Sequence, residues 1–283
     1  MHSLSFAELD FKMKTRVGRL IYLNSLPVYY GIESGSIPFD AELVHAVPSQ
    51  LNQWLAEKRL DLSPISSIEY ARHQEDYLLI PHLCLNSVEL VKSVMLISKI
   101  PIEHLDKFRI ALSSASATSQ VLLKIILANH YHFQPEYRVM QPNLTEMLQE
   151  TDAALLIGDD TLATLVPENL YQYDLGKLWQ EFCGYPVIFV VWAVRKEYAE
   201  KHNQQLHELT TALKESLSFG LKHLDKVAEV AKQTLPNAAI NMREYYAWLG
   251  YDLNEQMLNA LLFYYNQAAS INLCPKCTQL NFV

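Results

Sequence analysis

The chain has 283 residues, 50% of them hydrophobic, and 31 acidic against 23 basic side chains give a net charge of −8. Such a chain buries a sizeable core as one large domain or two lobes, and its acidic balance excludes a whole-surface attraction for nucleic acid or anionic membrane. No apolar run approaches the roughly 18 residues of a membrane span, and residues 1–14 are too polar for an export signal, so a cytoplasmic protein with neither membrane nor nucleic-acid partner is expected.

In chain order, residues 1–14 read as a disordered extension. Residues 19–23 form a short apolar strand ending in Asn24-Ser25-Leu26-Pro27, where the proline favours an extended residue before it and a helix start after it. A strand at 42–47 leads to Pro48, which opens a helix with Leu51, Trp54 and Leu55 on one face. Residues 62–65 are the next strand. Ser66 and Ser67 then start a helix through Tyr70, residues 77–80 form a buried run, and 81–89 read as a loop. The alternation predicts βαβ units with right-handed crossovers.

Two longer apolar strands, 91–98 and 187–194, bracket a self-contained middle section. It holds a strand at 109–112, a hydroxyl-rich turn through Ser119, and a helix with Val121, Leu122, Ile125 and Ile126 at helical spacing. Strands at 137–140 and 153–157 follow, with a short helix at 144–148 between them; the second strand ends in Gly158-Asp159-Asp160. After Val194 the periodicity is helical, over 204–224, 224–234 and 254–269.

A middle section entered by one strand and left by another is the plan of an α/β protein with two lobes, the paired crossing strands acting as the hinge and the ligand lying in the cleft between. The expected division is 15–95 with 190–283 for one lobe and 96–189 for the other. Loops at strand carboxyl ends line such a cleft: Asn24-Ser25, Ser66-Ser67, residues 113–119, and Gly158-Asp159-Asp160. The turn at Ser116, Thr118 and Ser119 sits where a helix N-terminus offers free N–H groups and a positive dipole end, suited to a carboxylate or phosphate. The same residues also serve as simple helix caps, and both readings stand. Nearly all the side chains of these loops are neutral hydrogen-bonders, which suit an organic acid with hydroxyls better than a nucleotide. Neither a P-loop nor a G-x-G-x-x-G is present, and no Ser-His-Asp or Cys-His arrangement is evident. Cys274-Pro-Lys-Cys277 has the spacing of half a zinc site or a redox pair, but no second ligand pair lies near it in sequence.

The segments Gly18-Arg-Leu-Ile-Tyr-Leu-Asn-Ser-Leu-Pro27, residues 61–70, Val91-Lys-Ser-Val94, Ser114-Ala-Ser-Ala-Thr-Ser119, Leu155-Leu-Ile-Gly-Asp159, Tyr173-Asp-Leu-Gly176 and Gly184-Tyr-Pro-Val187 with Trp192 resemble the chorismate dehydratase family of the futalosine route to menaquinone. Their order and spacing run from about Arg16 to the C terminus. The resemblance implies a periplasmic-binding-protein-like fold of type II in a cytoplasmic lyase that removes water from chorismate to give 3-enolpyruvylbenzoate without a cofactor. It implies that Asn24 and Ser93 match the family's catalytic pair, and Thr118 and Ser119 its carboxylate-binding turn, with Ser66 and Ser67 on the facing lobe. Asp159 is read either as an acceptor for a substrate hydroxyl or as part of an ordinary turn. With no evident His or Glu base, the substrate's own enolpyruvyl carboxylate is the expected proton acceptor. One departure is Glu89, where the family is expected to carry a glycine four residues before the catalytic serine. A small-carboxylate binding protein and a ligand sensor without turnover are the alternatives.

Overall fold

The structure is a computed structural model and describes residues 14–283; the extension expected over 1–14 lies, up to Met13, outside the described residues. The strands, in chain order, are β1 (Arg16–Leu20), β2 (Glu42–Ala46), β3 (Leu62–Ser66), β4 (Tyr77–Ser87), β5 (Val94–Ser98), β6 (Arg109–Ser113), β7 (Glu136–Met140), β8 (Ala153–Ile157), β9 (Tyr171–Asp174) and β10 (Val187–Arg195). They form two five-stranded sheets of matching plan, β2-β1-β3-β10-β4 and β7-β6-β8-β5-β9. In each sheet the first three strands are parallel and the fourth, β10 or β5, is antiparallel to both neighbours. The reason is topological. β5 and β10 are the strands that have just crossed from the other lobe, so each starts at the junction and runs away from it. The carboxyl ends of β1, β3, β4, β6, β8 and β9 therefore all face the junction, where loops carry function in α/β sheets.

The two crossings lie at residues 88–93 and 184–186, side by side, since Ser87 pairs with Val187. The lobe boundaries expected at 95/96 and 189/190 fall inside β5 and β10: Val94 and Met95 pair in the second sheet, and Val187 and Ile188 in the first. The loop expected over 81–89 is instead the second half of β4, an edge strand that continues to Ser87. Its pairing with β10 steps from Leu79 opposite Ala193 to Cys84 opposite Val191, so Pro81 and the left-handed His82 (φ 60°) sit in a bulge. A proline that would break a central strand is tolerated there.

β10 is the spine of the first sheet, buried from Val187 to Val194 because it lies between two strands and packs against several helices. The alternation of the second sheet divides its side chains. Leu96, Ile110, Leu112, Ala153 and Leu155 join the main core, while Ile97, Ala111, Ala154 and Leu156 pack under the helix Leu144–Glu150 with Leu144 and Met147. The final helix, Glu255–Ser270, buries Met257, Ala260, Leu261, Tyr264, Tyr265 and Ala268, a stripe at helical spacing. That stripe packs against the helix Ser67–Arg72 of one lobe, the helix Ala117–Ile125 of the other, and β10.

Candidate active site

The turn after β1 presents Asn24. Leu23–Ser25 is one turn of 3-10 helix, and the buried Ser25 hydroxyl ties it down by donating to the carbonyls of Leu20 (2.8 Å) and Tyr22 (2.9 Å). Asn24 is half-buried and its Oδ1 is one of three buried side-chain polar atoms without a hydrogen-bond partner among the described residues. An unpaired buried acceptor costs about 1–3 kcal/mol, so this oxygen is suited to a donor that arrives with a ligand.

Ser93 lies at the end of the first crossing, 1% exposed. Its hydroxyl accepts a 2.8 Å bond from the Tyr245 hydroxyl and faces the Val91 carbonyl at 3.3 Å, while its carbonyl accepts from the Gly158 amide at 2.7 Å. Gly158 is in the left-handed region (φ 62°), and a Cβ there would meet the Tyr22 ring at 3.0 Å. Only glycine lets β8 turn this close to the β1 turn. The next residue, Asp159, reaches across: its carboxylate accepts from the Leu23 amide at 3.0 and 3.2 Å. Burial, reinforced by the negative charge of Asp160, pushes the Asp159 carboxyl up to about 6, against the pull of the Leu23 amide and Arg19.

Three tyrosines of one C-terminal stretch close this group. Tyr245 bonds Ser93, Tyr246 donates to the Leu23 carbonyl (3.0 Å), and Tyr251 donates to the Asn24 carbonyl (2.9 Å). Burial raises all three hydroxyls above the ordinary tyrosine value, so they stay protonated and act as donors. The sequence reading missed them; the available signal was the run of aromatic hydroxyls at Tyr245, Tyr246 and Tyr251.

The serine and threonine residues form a second group. Thr118, in the first turn of the helix Ala117–Ile125, donates to the Phe189 carbonyl (3.0 Å) and lies 3.3 Å from the Ser67 hydroxyl, which donates to the Ile188 carbonyl (2.7 Å). Ser66 is held twice by Asn52, through its amide (2.9 Å) and its hydroxyl (3.1 Å). Ser116 is the helix cap, accepting from the Ser119 amide at 3.4 Å, and the two hydroxyls sit 3.2 Å apart. The structure thus brings Ser67 to Thr118, and Asn24, Ser93 and Asp159 to one another's neighbourhood. Among the described residues no hydrogen bond links the two groups. Ser66, Ser67, Thr118 and Ser119 are buried, and Ser116 is half-buried.

Glu89 is exposed and makes no ion pair among the described residues. The left-handed residue of the crossing is Lys92 (φ 60°) rather than Glu89. Cys274 and Cys277 face main-chain carbonyls of Tyr265 (3.6 Å) and Gln279 (3.3 Å), and burial raises both thiols above their ordinary value.

Two similar sheets joined by paired crossings, with polar side chains gathered where their strand ends meet, define a two-lobed protein of the periplasmic-binding-protein-like class. The alkanesulfonate-binding protein SsuA of Xanthomonas axonopodis pv. citri, bound to MOPS, shares this fold with a TM-score of 0.64 over 93% of this chain and 94% of its own, at 14% identity. Residues 15–270 match the family model described as menaquinone biosynthesis, and the chain belongs to that family. A chorismate dehydratase of Thermus thermophilus is 32% identical over 83% of this chain and 88% of its own. A 1,4-dihydroxy-6-naphtoate synthase of the same organism is 24% identical, covering 73% and 74%.

Proposed function

We propose that the chain dehydrates chorismate to 3-enolpyruvylbenzoate, 3-[(1-carboxyvinyl)oxy]benzoate, in the futalosine route to menaquinone. Family membership and the 32% identical dehydratase support the substrate. The observation that carries the site is the unpaired Asn24 Oδ1 in the turn that Asp159 and Tyr251 tie down beside Ser93.

Chorismate carries two carboxylates and a ring hydroxyl. Loss of that hydroxyl with the proton of the ether-bearing carbon forms one ring double bond, releases one water and leaves an aromatic ring, which supplies the driving force. Asn24 accepts from the ring hydroxyl and orients it, and the Ser93 hydroxyl, fixed by Tyr245, bonds the reacting part of the ring. Thr118 and Ser119, at a helix N-terminus, take a carboxylate. The proton passes to the substrate's own enolpyruvyl carboxylate and from it to the departing hydroxyl, which leaves as water, so the protein's main contributions are orientation and exclusion of water.

Incubation of the purified protein with chorismate, followed by chromatography and mass measurement, tests this reading. Conversion to a product lighter by one water is the expected result. Chorismate that survives intact while raising the melting temperature would instead make the chain a carboxylate-binding protein; two proteins that share only its fold are named as sulfonate-binding proteins.

A further inference from the structure

Asp174 ends β9 and is 8% exposed, yet none of the chemistry above uses it. Its carboxylate serves two elements at once. Oδ1 caps the helix Leu175–Cys183, accepting from Gly176 at 2.8 Å and Lys177 at 3.2 Å. Oδ2 accepts from the Lys92 amide at 2.7 Å, and both oxygens lie 3.2 Å from the Val91 amide. The residues so held are the last two of the crossing before Ser93.

The clamp holds a conformation that the chain would otherwise leave. Lys92 has a φ of 60°, which costs a residue with a Cβ of the order of 1 kcal/mol. Its ammonium group rests over the Trp248 ring at 5.5 Å, on the stretch that also supplies Tyr245. Immediately after it, Ser93 turns its amide to the Val91 carbonyl (2.7 Å) and its hydroxyl to Tyr245. Gly176 completes the seat. A Cβ there would stand 2.6 Å from the Glu89 carbonyl and 3.1 Å from Asp174 Oδ1, so Asp174-Leu-Gly176 is shaped to let the crossing pass against the helix start.

We infer that Asp174 is a positioning residue: it sets the left-handed turn at Lys92 and thereby aims the Ser93 hydroxyl. The inference rests on the reading of Ser93 as a catalytic group.

The test separates the two jobs of the carboxylate. Asp174→Ser and Asp174→Asn both supply one good helix-capping oxygen, but neither presents two acceptor oxygens, so cap and clamp cannot both be kept. For each variant, melting temperature, steady-state chorismate dehydration and amide exchange of residues 88–93 and 175–183 are measured against the wild type. The expected result is a folded protein with KM within about threefold, kcat lower by about ten- to a hundredfold, and faster exchange at Val91 and Lys92. Wild-type kcat within about twofold in both variants, or unchanged exchange at those amides, would overturn the inference. Failure of both variants to fold would also overturn it, making Asp174 an anchor of the whole lobe. If the wild type itself does not turn over chorismate, the reading of Ser93 fails, while amide exchange still decides whether the clamp exists.

Discussion

The two polar groups at the junction differ in how completely they satisfy themselves. Thr118 and Ser67, whose hydroxyls lie 3.3 Å apart, each donate their one hydroxyl proton to a carbonyl of β10, Phe189 and Ile188, so a ligand carboxylate must replace a partner each already has. Around Asn24 the backbone is tied by Ser25, Asp159, Tyr246 and Tyr251, while the side-chain oxygen is left unpaired. The lesson is a division of labour. On the proposed reading, the group fixed by its backbone and unsatisfied at one side-chain atom takes the reacting part of the substrate, and the hydroxyl pair, which must exchange bonds on binding, takes the carboxylate.

After Ser93 itself, the largest expected effect is at Asn24. Asn24→Ala should lower kcat by about a hundredfold without lowering the melting temperature, because the truncation removes an unpaired buried acceptor worth about 1–3 kcal/mol of strain on the fold. Loss of stability together with activity would break the comparison. Thr118→Ala should behave oppositely. It raises KM by about tenfold with a smaller change in kcat, and leaves the Phe189 carbonyl without its donor at a cost of about 1–3 kcal/mol in urea unfolding.

Tyr245→Phe sharpens the first group further. It keeps the ring and removes the donor to Ser93, so kcat should fall by about fivefold while stability drops by about 1 kcal/mol. The smallest effect on turnover is expected at Asp159, where the change is one of stability. The Asp159 carboxyl is raised from 3.8 to about 6 mainly by burial, so the folded state holds its proton more tightly than the unfolded chain. Stability from this group is therefore full below about pH 4 and lost as pH rises through about 6, by at most about 3 kcal/mol. Asp159→Asn keeps an oxygen for the Leu23 amide and removes that loss, so it should match the wild type near pH 4 and exceed it at about pH 7.5 in unfolding titrations.

Much of this was legible because apolar runs and turn residues are local. The strands at 62–65 and 153–157, the helix cap region before Val121, and the placing of Asn24 and Ser66-Ser67 at strand ends follow from pattern alone. What was missed depends on partners distant in sequence. Pro81 reads as a strand breaker, and only the bulge against β10 lets β4 continue. Val91 to Ser93 reads as strand, but Asp174, more than eighty residues later, holds Val91 and Lys92 in a turn and delays β5 to Val94. The tyrosines at 245, 246 and 251 carry no periodic signal of their own role, since their hydroxyls find Ser93, Leu23 and Asn24 only through the fold. The pairing of Asn24 with Ser93 came from family resemblance, because an asparagine in a turn and a serine near a strand are common in any protein.

The most direct test of this division is Ser93→Ala, examined for chorismate binding by calorimetry and for turnover by product formation in the same preparation. The account predicts binding within about threefold of wild type and a kcat lower by about a hundredfold or more. Full turnover by Ser93→Ala would contradict it, removing Ser93 from the chemistry and with it the assignment of the reacting group to the Asn24 side of the junction.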